Sequence, residues 1–270
     1  MHRSFASHPA TRKSGAWRGP RSLRMTNPWI VASYFLVAPL LFLTGCTQKT
    51  KTADFPAAKT YGTAIVLVSG EKQIAATGAT LDQPVVVQVN NAQGAAVEGA
   101  PVVLSAAHGV TFTPSSGLTD SSGQFTASVA LGGQTGHYQL TAATRDGSGK
   151  RIETKVDEIA LGYQQVVGQQ LNLRYCDRCH NPESTAERVS NLDNLTTKPH
   201  PFSEGDALNK LTDEDLAAII THGGPALGRS AEMPPWGNTL SQADIQALIA
   251  YIRAVSDPPY QTKGLVYASR

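Results

Sequence analysis

The 270-residue chain has only three cysteines, three methionines and three tryptophans. Cys46, Cys176 and Cys179 cannot build the multi-bridge framework of a small secreted domain. No apolar run reaches the roughly 20 residues a membrane-spanning helix needs. The longest, Trp29–Leu43, is about 15 residues and is interrupted by Pro39. Basic charge is also scarce once it is located. Arg3, Arg12, Lys13, Arg18, Arg21 and Arg24 lie in residues 1–45 with no acidic residue, so the net +2 of the whole chain becomes −4 without that segment. The excess positive charge belongs to the N-terminus, and nucleic acid is not expected as a partner. Alternating strand and helix patterns are missing, which disfavours an α/β domain.

A basic stretch followed by a short apolar core has the form of a signal peptide. The core ends Leu43-Thr44-Gly45-Cys46, which resembles the lipobox of bacterial lipoproteins. That resemblance implies cleavage after residue 45, lipid on Cys46, and a mature chain anchored to a membrane of the bacterial envelope, on its periplasmic side or at the cell surface. An ordinary signal peptide with a free thiol, or a short uncleaved anchor, are the alternatives. Residues 46–60 are polar, contain Pro56 and read as a linker.

Residues 61–160 read as β structure. Runs rich in Val and Thr occupy Ala64–Val68, Val85–Asn90, Pro101–Ala106, Gln124–Leu131 and His137–Ala143. Between them lie turn clusters Asn91-Ala92-Gln93-Gly94, Asp120-Ser121-Ser122-Gly123 and Asp146-Gly147-Ser148-Gly149. This rhythm indicates a sandwich. From Gln83 to Thr144 it resembles bacterial immunoglobulin-like domains of the invasin and intimin type. The matching pieces are Val85–Val89, Gly99–Leu104, Thr119–Gln124 and Gly136–Ala142, with Asn91 where the family more often has Asp. The region shows no catalytic constellation; His108 and His137 are isolated. It reads as a spacer, with a dedicated binding module as the other possibility.

Near Gly162 the pattern turns helical, and residues 161–257 read as an all-α domain followed by a tail, 258–270. Val166, Val167, Gln170 and Leu171 lead at helical spacing into Cys176-Asp177-Arg178-Cys179-His180. C-x-x-C-H is the attachment sequence of c-type haem: two thiols on one side of a turn, then an imidazole for the iron. The rivals are half a zinc site, which would need two further ligands from among His180, His200 and His222, and a thioredoxin-like couple. Two capping boxes follow, Thr212 with Asp215 and Ser241 with Asp244. The second opens a stripe of Ile245, Leu248, Ile249, Ile252 and Val255 that ends before Pro258.

Beyond residue 45 the sole methionine is Met233, in the stiff segment Met233-Pro234-Pro235-Trp236-Gly237. A thioether held there suits a sixth iron ligand, with His222 and His200 as alternatives. Together with Ile219–Gly224 and the helix through Arg253, these features resemble a class I, single-haem cytochrome c domain over residues 162–256. The resemblance implies one covalently held haem c on Cys176 and Cys179, axial ligands His180 and Met233, and a close crossing of the first and last helices at Gly168 and Tyr251. The family often has a proline loop about a dozen residues after the histidine, whose carbonyl accepts the imidazole proton. Here Asn191–Asn194 occupies that region, and the sequence names no acceptor.

The expected protein is therefore multidomain: an all-β immunoglobulin-like sandwich followed by an all-α cytochrome c domain. Its expected role is one-electron transfer between redox partner proteins, not enzyme catalysis. One alternative is an envelope adhesion or scaffold lipoprotein in which haem is subsidiary. A small haem peroxidase is another, disfavoured by Met233 and by the lack of a distal acid–base pair.

Overall fold

Val85, Val87 and Val89 point inward while their neighbours are half-exposed, the period of two that a half-buried strand imposes. The same alternation in Phe125, Ala127 and Val129, and in Tyr138, Leu140 and Ala142, fills one core between two sheets. The computed structural model describes residues 54–184 and 189–261. The expected signal segment 1–45 and Cys46 lie outside them. Among the described residues one sheet runs β1 (Ala64–Ser69), β3 (Val85–Asn90), β7 (Gln124–Ala130), β5 (Thr111–Thr113). The other runs β2 (Ile74–Ala76), β9 (Arg151–Leu161), β8 (Gly136–Arg145), β4 (Pro101–Ser105), β6 (Ser116–Leu118). Every strand pair is antiparallel except β2 with β9.

The three turn clusters share one device. In each, the Asx carbonyl accepts from the glycine N–H three residues on, at 2.9–3.0 Å: Asn91 from Gly94, Asp120 from Gly123, Asp146 from Gly149. The Asx side chain accepts two more backbone N–H groups, and the glycine takes a positive φ.

One sequence expectation needs correction. The linker does not run free to residue 60: the Phe55 ring lies 4.2 Å from the Arg145 guanidinium, and the Lys59 and Thr60 amides donate to the Gly99 carbonyl. The β region also contains β9, its longest strand, which apolar runs do not reveal. Its outward residues include Glu153, Lys155 and Asp157, and its inward set includes a carboxylate, Glu158.

The helical part begins one residue after β9. Gly162 is the N-cap of α1 (Tyr163–Leu171), and its N–H donates to the Gln165 side chain. A single π-helical turn, Asn172–Cys176, joins α1 to α2 (Asp177–His180). After α3 (Gly205–Leu208) come α4 (Asp213–His222) and α5 (Gln242–Val255), and both expected capping boxes are formed at their starts. Leu216, Ile220, Ile245, Leu248, Ile249 and Ile252 make the helical core. A third cluster, centred on Leu161, Tyr251 and Val255, lies where the sheet meets the helices. All described residues fall in one compact unit.

Glu158 gives the sandwich a pH dependence. It is fully buried; one carboxylate oxygen accepts the Gln73 N–H at 2.7 Å, and the other finds no hydrogen-bond partner among the described residues. Burial, reinforced by Asp157 and Glu71 and opposed by the Gln73 bond, pushes its pKa up to about 8 from an ordinary 4.5. The folded chain thus holds a proton that the unfolded chain loses near pH 4.5. Stability is expected to fall as pH rises from about 4.5 to about 8, by up to about 5 kcal/mol. Urea unfolding across that range should show this slope, and Glu158→Gln should flatten it.

Candidate functional site

The C-x-x-C-H residues sit where the first helix changes pitch: Cys176 ends the π turn, and Cys179 and His180 lie in α2. Such turns recur at functional sites because they re-aim side chains without ending the helix. Cys176 is buried and Cys179 half-buried, and neither is in a disulfide. Burial, with Asp177 and Cys179 adding to it, pushes the Cys176 thiol up to about 12. A redox-active pair of the thioredoxin kind depends on a depressed thiol pKa, so this environment opposes that reading. The zinc reading also lacks ligands: among the described residues, no group of three or more His, Cys, Asp or Glu side chains is placed to hold a metal.

His180 is held from two sides. Its Nδ1 lies 2.8 Å from the His200 carbonyl oxygen. A carbonyl can only accept, so Nδ1 carries the proton and Nε2 keeps the lone pair that binds a metal. The Phe202 ring lies 4.7 Å from the imidazole, centroid to centroid, tilted by 38°. Burial holds the imidazole pKa below its ordinary value, outweighing the carbonyl bond that raises it. A cleft of about 290 Å³ beside the ring is lined by Asn172, Asp177, Pro201, Phe202 and Tyr251 among others.

Sequence reasoning missed the acceptor. Asn191 instead caps a short 3₁₀ turn, Leu192–Asn194, and its N–H donates to the Arg178 carbonyl. The acceptor comes from Pro199-His200-Pro201, twenty residues after His180. The flanking prolines were the available signal, since they restrict the backbone that presents the carbonyl. This also places His200, an alternative sixth ligand, on the side of the imidazole away from Nε2: its carbonyl meets Nδ1 and its ring bonds to Glu204 at 2.9 Å. The loop is pinned beyond α5, where the Asp257 N–H donates to Ser203 and the Asp257 carbonyl accepts from Gly205.

The Met233 segment is tied to the C-terminal end of α4. The Gly224 N–H donates to the Met233 carbonyl, Trp236 N–H to Ile220 and Gly237 N–H to Thr221, at 2.9–3.0 Å. Gly223 has φ +82°, and a Cβ there would lie 2.8 Å from the Met233 oxygen, so the approach requires glycine. The Trp236 ring lies 5.4 Å from that of Tyr175, the residue before Cys176, bringing the methionine loop against the C-x-x-C-H segment. Met233 is half-buried and His222 is exposed. Glu232 was also missed: its carboxylate accepts from the Thr196 and Thr197 amides, which hold it below the usual carboxylate range. Nothing in the sequence near Glu232 marked it, because its partners are backbone groups 35 and 36 residues away.

The donor set fits a covalently held haem c. Two thiols stand one turn apart, the following imidazole is fixed in the metal-binding tautomer, and the thioether segment is packed against the same helix.

The family model for cytochrome C oxidase, cbb3-type, subunit III matches residues 164–252, so the helical part is a cytochrome c domain. No curated protein matches the chain. Among solved structures, the β-rich part is similar to the D00-D0 domain of intimin, at 18% identity and TM-score 0.28, over 38% of this chain and 50% of that one. It is similar to the adhesin InvE of Yersinia pseudotuberculosis, at 17% and 0.30, over 36% and 32%. Invasin, a bacterial integrin-binding protein, matches at 17% and 0.28, over 36% and 19%. The chain spans half or less of the length of these three structures.

The helix crossing supplies a direct check on the packing. A Cβ on Gly168 would lie 2.1 Å from the Ala247 carbonyl oxygen and 2.7 Å from the Tyr251 Cβ. Gly168→Ala is expected to cost about 3 kcal/mol in urea unfolding by forcing α1 and α5 apart. A loss below about 0.5 kcal/mol would contradict this crossing.

Proposed function

With residues 164–252 a cytochrome c domain, we propose that the protein is a membrane-tethered, extracytoplasmic electron carrier that passes single electrons between redox partner proteins. The observation that carries this reading is the His180 imidazole directly after the two thiols, its Nδ1 proton given to the His200 carbonyl. Haem bound there would supply the one-electron Fe(III)/Fe(II) couple. Cys176 and Cys179 would hold it through thioether bonds, and His180 Nε2 and the Met233 sulfur would be its axial ligands. The His200 bond strengthens the imidazole as a donor and fixes its ring plane. The helical core and the Met233 loop would cover part of such a group and limit the water that reaches it.

The tether rests on the lipobox-like Leu43–Cys46, outside the described residues. Among the described residues no helix is long and apolar enough to cross a membrane. Lipid on Cys46 accounts for attachment without one.

Met233→Ala should abolish the His/Met charge-transfer absorption of the ferric protein and lower its reduction potential. A surviving band would mean that another group ligates the iron. In a bacterial host, Cys46→Ala should move the chain from the membrane fraction to the soluble one. Retention in the membrane would argue for an uncleaved anchor instead.

A further inference from the structure

A strand alternates faces, so the two residues of β9 that follow Glu158 separate in role. Ala160 faces the sandwich core with Val156 and Glu158, whereas Ile159 and Leu161 point the other way. On a free-standing sandwich that apolar pair would face water. Here Leu161 is 0% exposed, enclosed in a cluster with Tyr251 and Val255 of α5, Val166 of α1, and Phe202. Phe202 is the ring packed against His180, and the loop that carries it also supplies the His200 carbonyl. The loop's far end is bonded to Asp257, just beyond α5. Only Gly162 separates β9 from α1, so no slack lies between sheet and helix.

We propose that the sandwich is a working part of the redox site. Through Leu161 and the cluster around it, the sandwich seals the histidine side of the haem and helps set its midpoint potential. This rests on reading His180 as the iron ligand. The ferric form carries one more positive charge than the ferrous form. Water or mobile dipoles near the imidazole therefore favour oxidation and lower the potential, while a dry apolar cover raises it. Leu161 and Phe202 act as positioning residues: Phe202 fixes the ring and its acceptor loop, and Leu161 backs, from the β side, the Tyr251 and Val255 cluster against which Phe202 packs.

The test uses the full chain with haem attached, compared by spectroelectrochemical redox titration. Leu161→Ala should lower the midpoint potential and speed exchange of the His180 Nδ1 proton, while Leu161→Ile should stay close to the parent. Val87→Ala truncates an equally buried side chain in the sandwich core and should leave both readouts unchanged. Ile159→Ala is a milder truncation on the same face. It should shift the potential the same way by less, and it serves if Leu161→Ala fails to fold. Haem attached with the potential unmoved in these face variants would overturn the inference alone. A parent chain without covalent haem would overturn the reading of His180 as well.

Discussion

The bond from the His180 Nδ1–H to the His200 carbonyl is the constraint on which the rest of the site depends. It decides the tautomer, so Nε2 is the nitrogen left for a metal. It also decides the ring plane, against which the tilted Phe202 ring packs. The acceptor is a backbone group, and its position depends on where the loop from Pro199 to Gly205 is anchored. That anchor is Asp257, immediately after α5. The segment just after the last helix therefore helps position the imidazole.

This dependence extends into the β part. Helix α5 crosses α1 at Gly168, where backbone meets side chain with no room for a methyl group, and packs on the end of β9 through Tyr251 and Val255. Sheet and helices thus share a hydrophobic cluster and a continuous chain in which only Gly162 intervenes. The sandwich and the helices are therefore packed as neighbours and not strung on a slack linker. The orientation of the C-x-x-C-H segment relative to it is fixed by packing.

Much of this was legible where side chains carry the signal. Alternating valines announced β3, Asx and glycine residues announced the three turns, and Thr212 and Ser241 announced the starts of α4 and α5. The C-x-x-C-H residues and the cytochrome c resemblance needed no structure, and the family match over residues 164–252 agrees with the resemblance. What stayed hidden was carried by backbone groups or by broken alternation. The His200 carbonyl has no side-chain signature, and a loop twenty residues from His180 can reach it only through tertiary anchoring. Strand β9 escaped notice because Glu153, Lys155 and Asp157 line one face while the buried Glu158 interrupts the apolar pattern of the other. Strands β2, β5 and β6 are three residues each, too short for any period to register. The outward pair Ile159 and Leu161 was visible in the sequence, but only the register of β9 shows that it faces the helices.

The central claim is that Cys176 and Cys179 carry one covalent haem whose iron is bound by His180. The most direct measurement is the mass of the intact, denatured chain isolated from cells that mature c-type cytochromes, read together with its pyridine haemochrome spectrum. The account predicts a mass one haem greater than that of a Cys176→Ser, Cys179→Ser double variant prepared in the same way, and a c-type spectrum that survives denaturation and is absent from that variant. A denatured chain with no haem mass and no haemochrome absorption would contradict it.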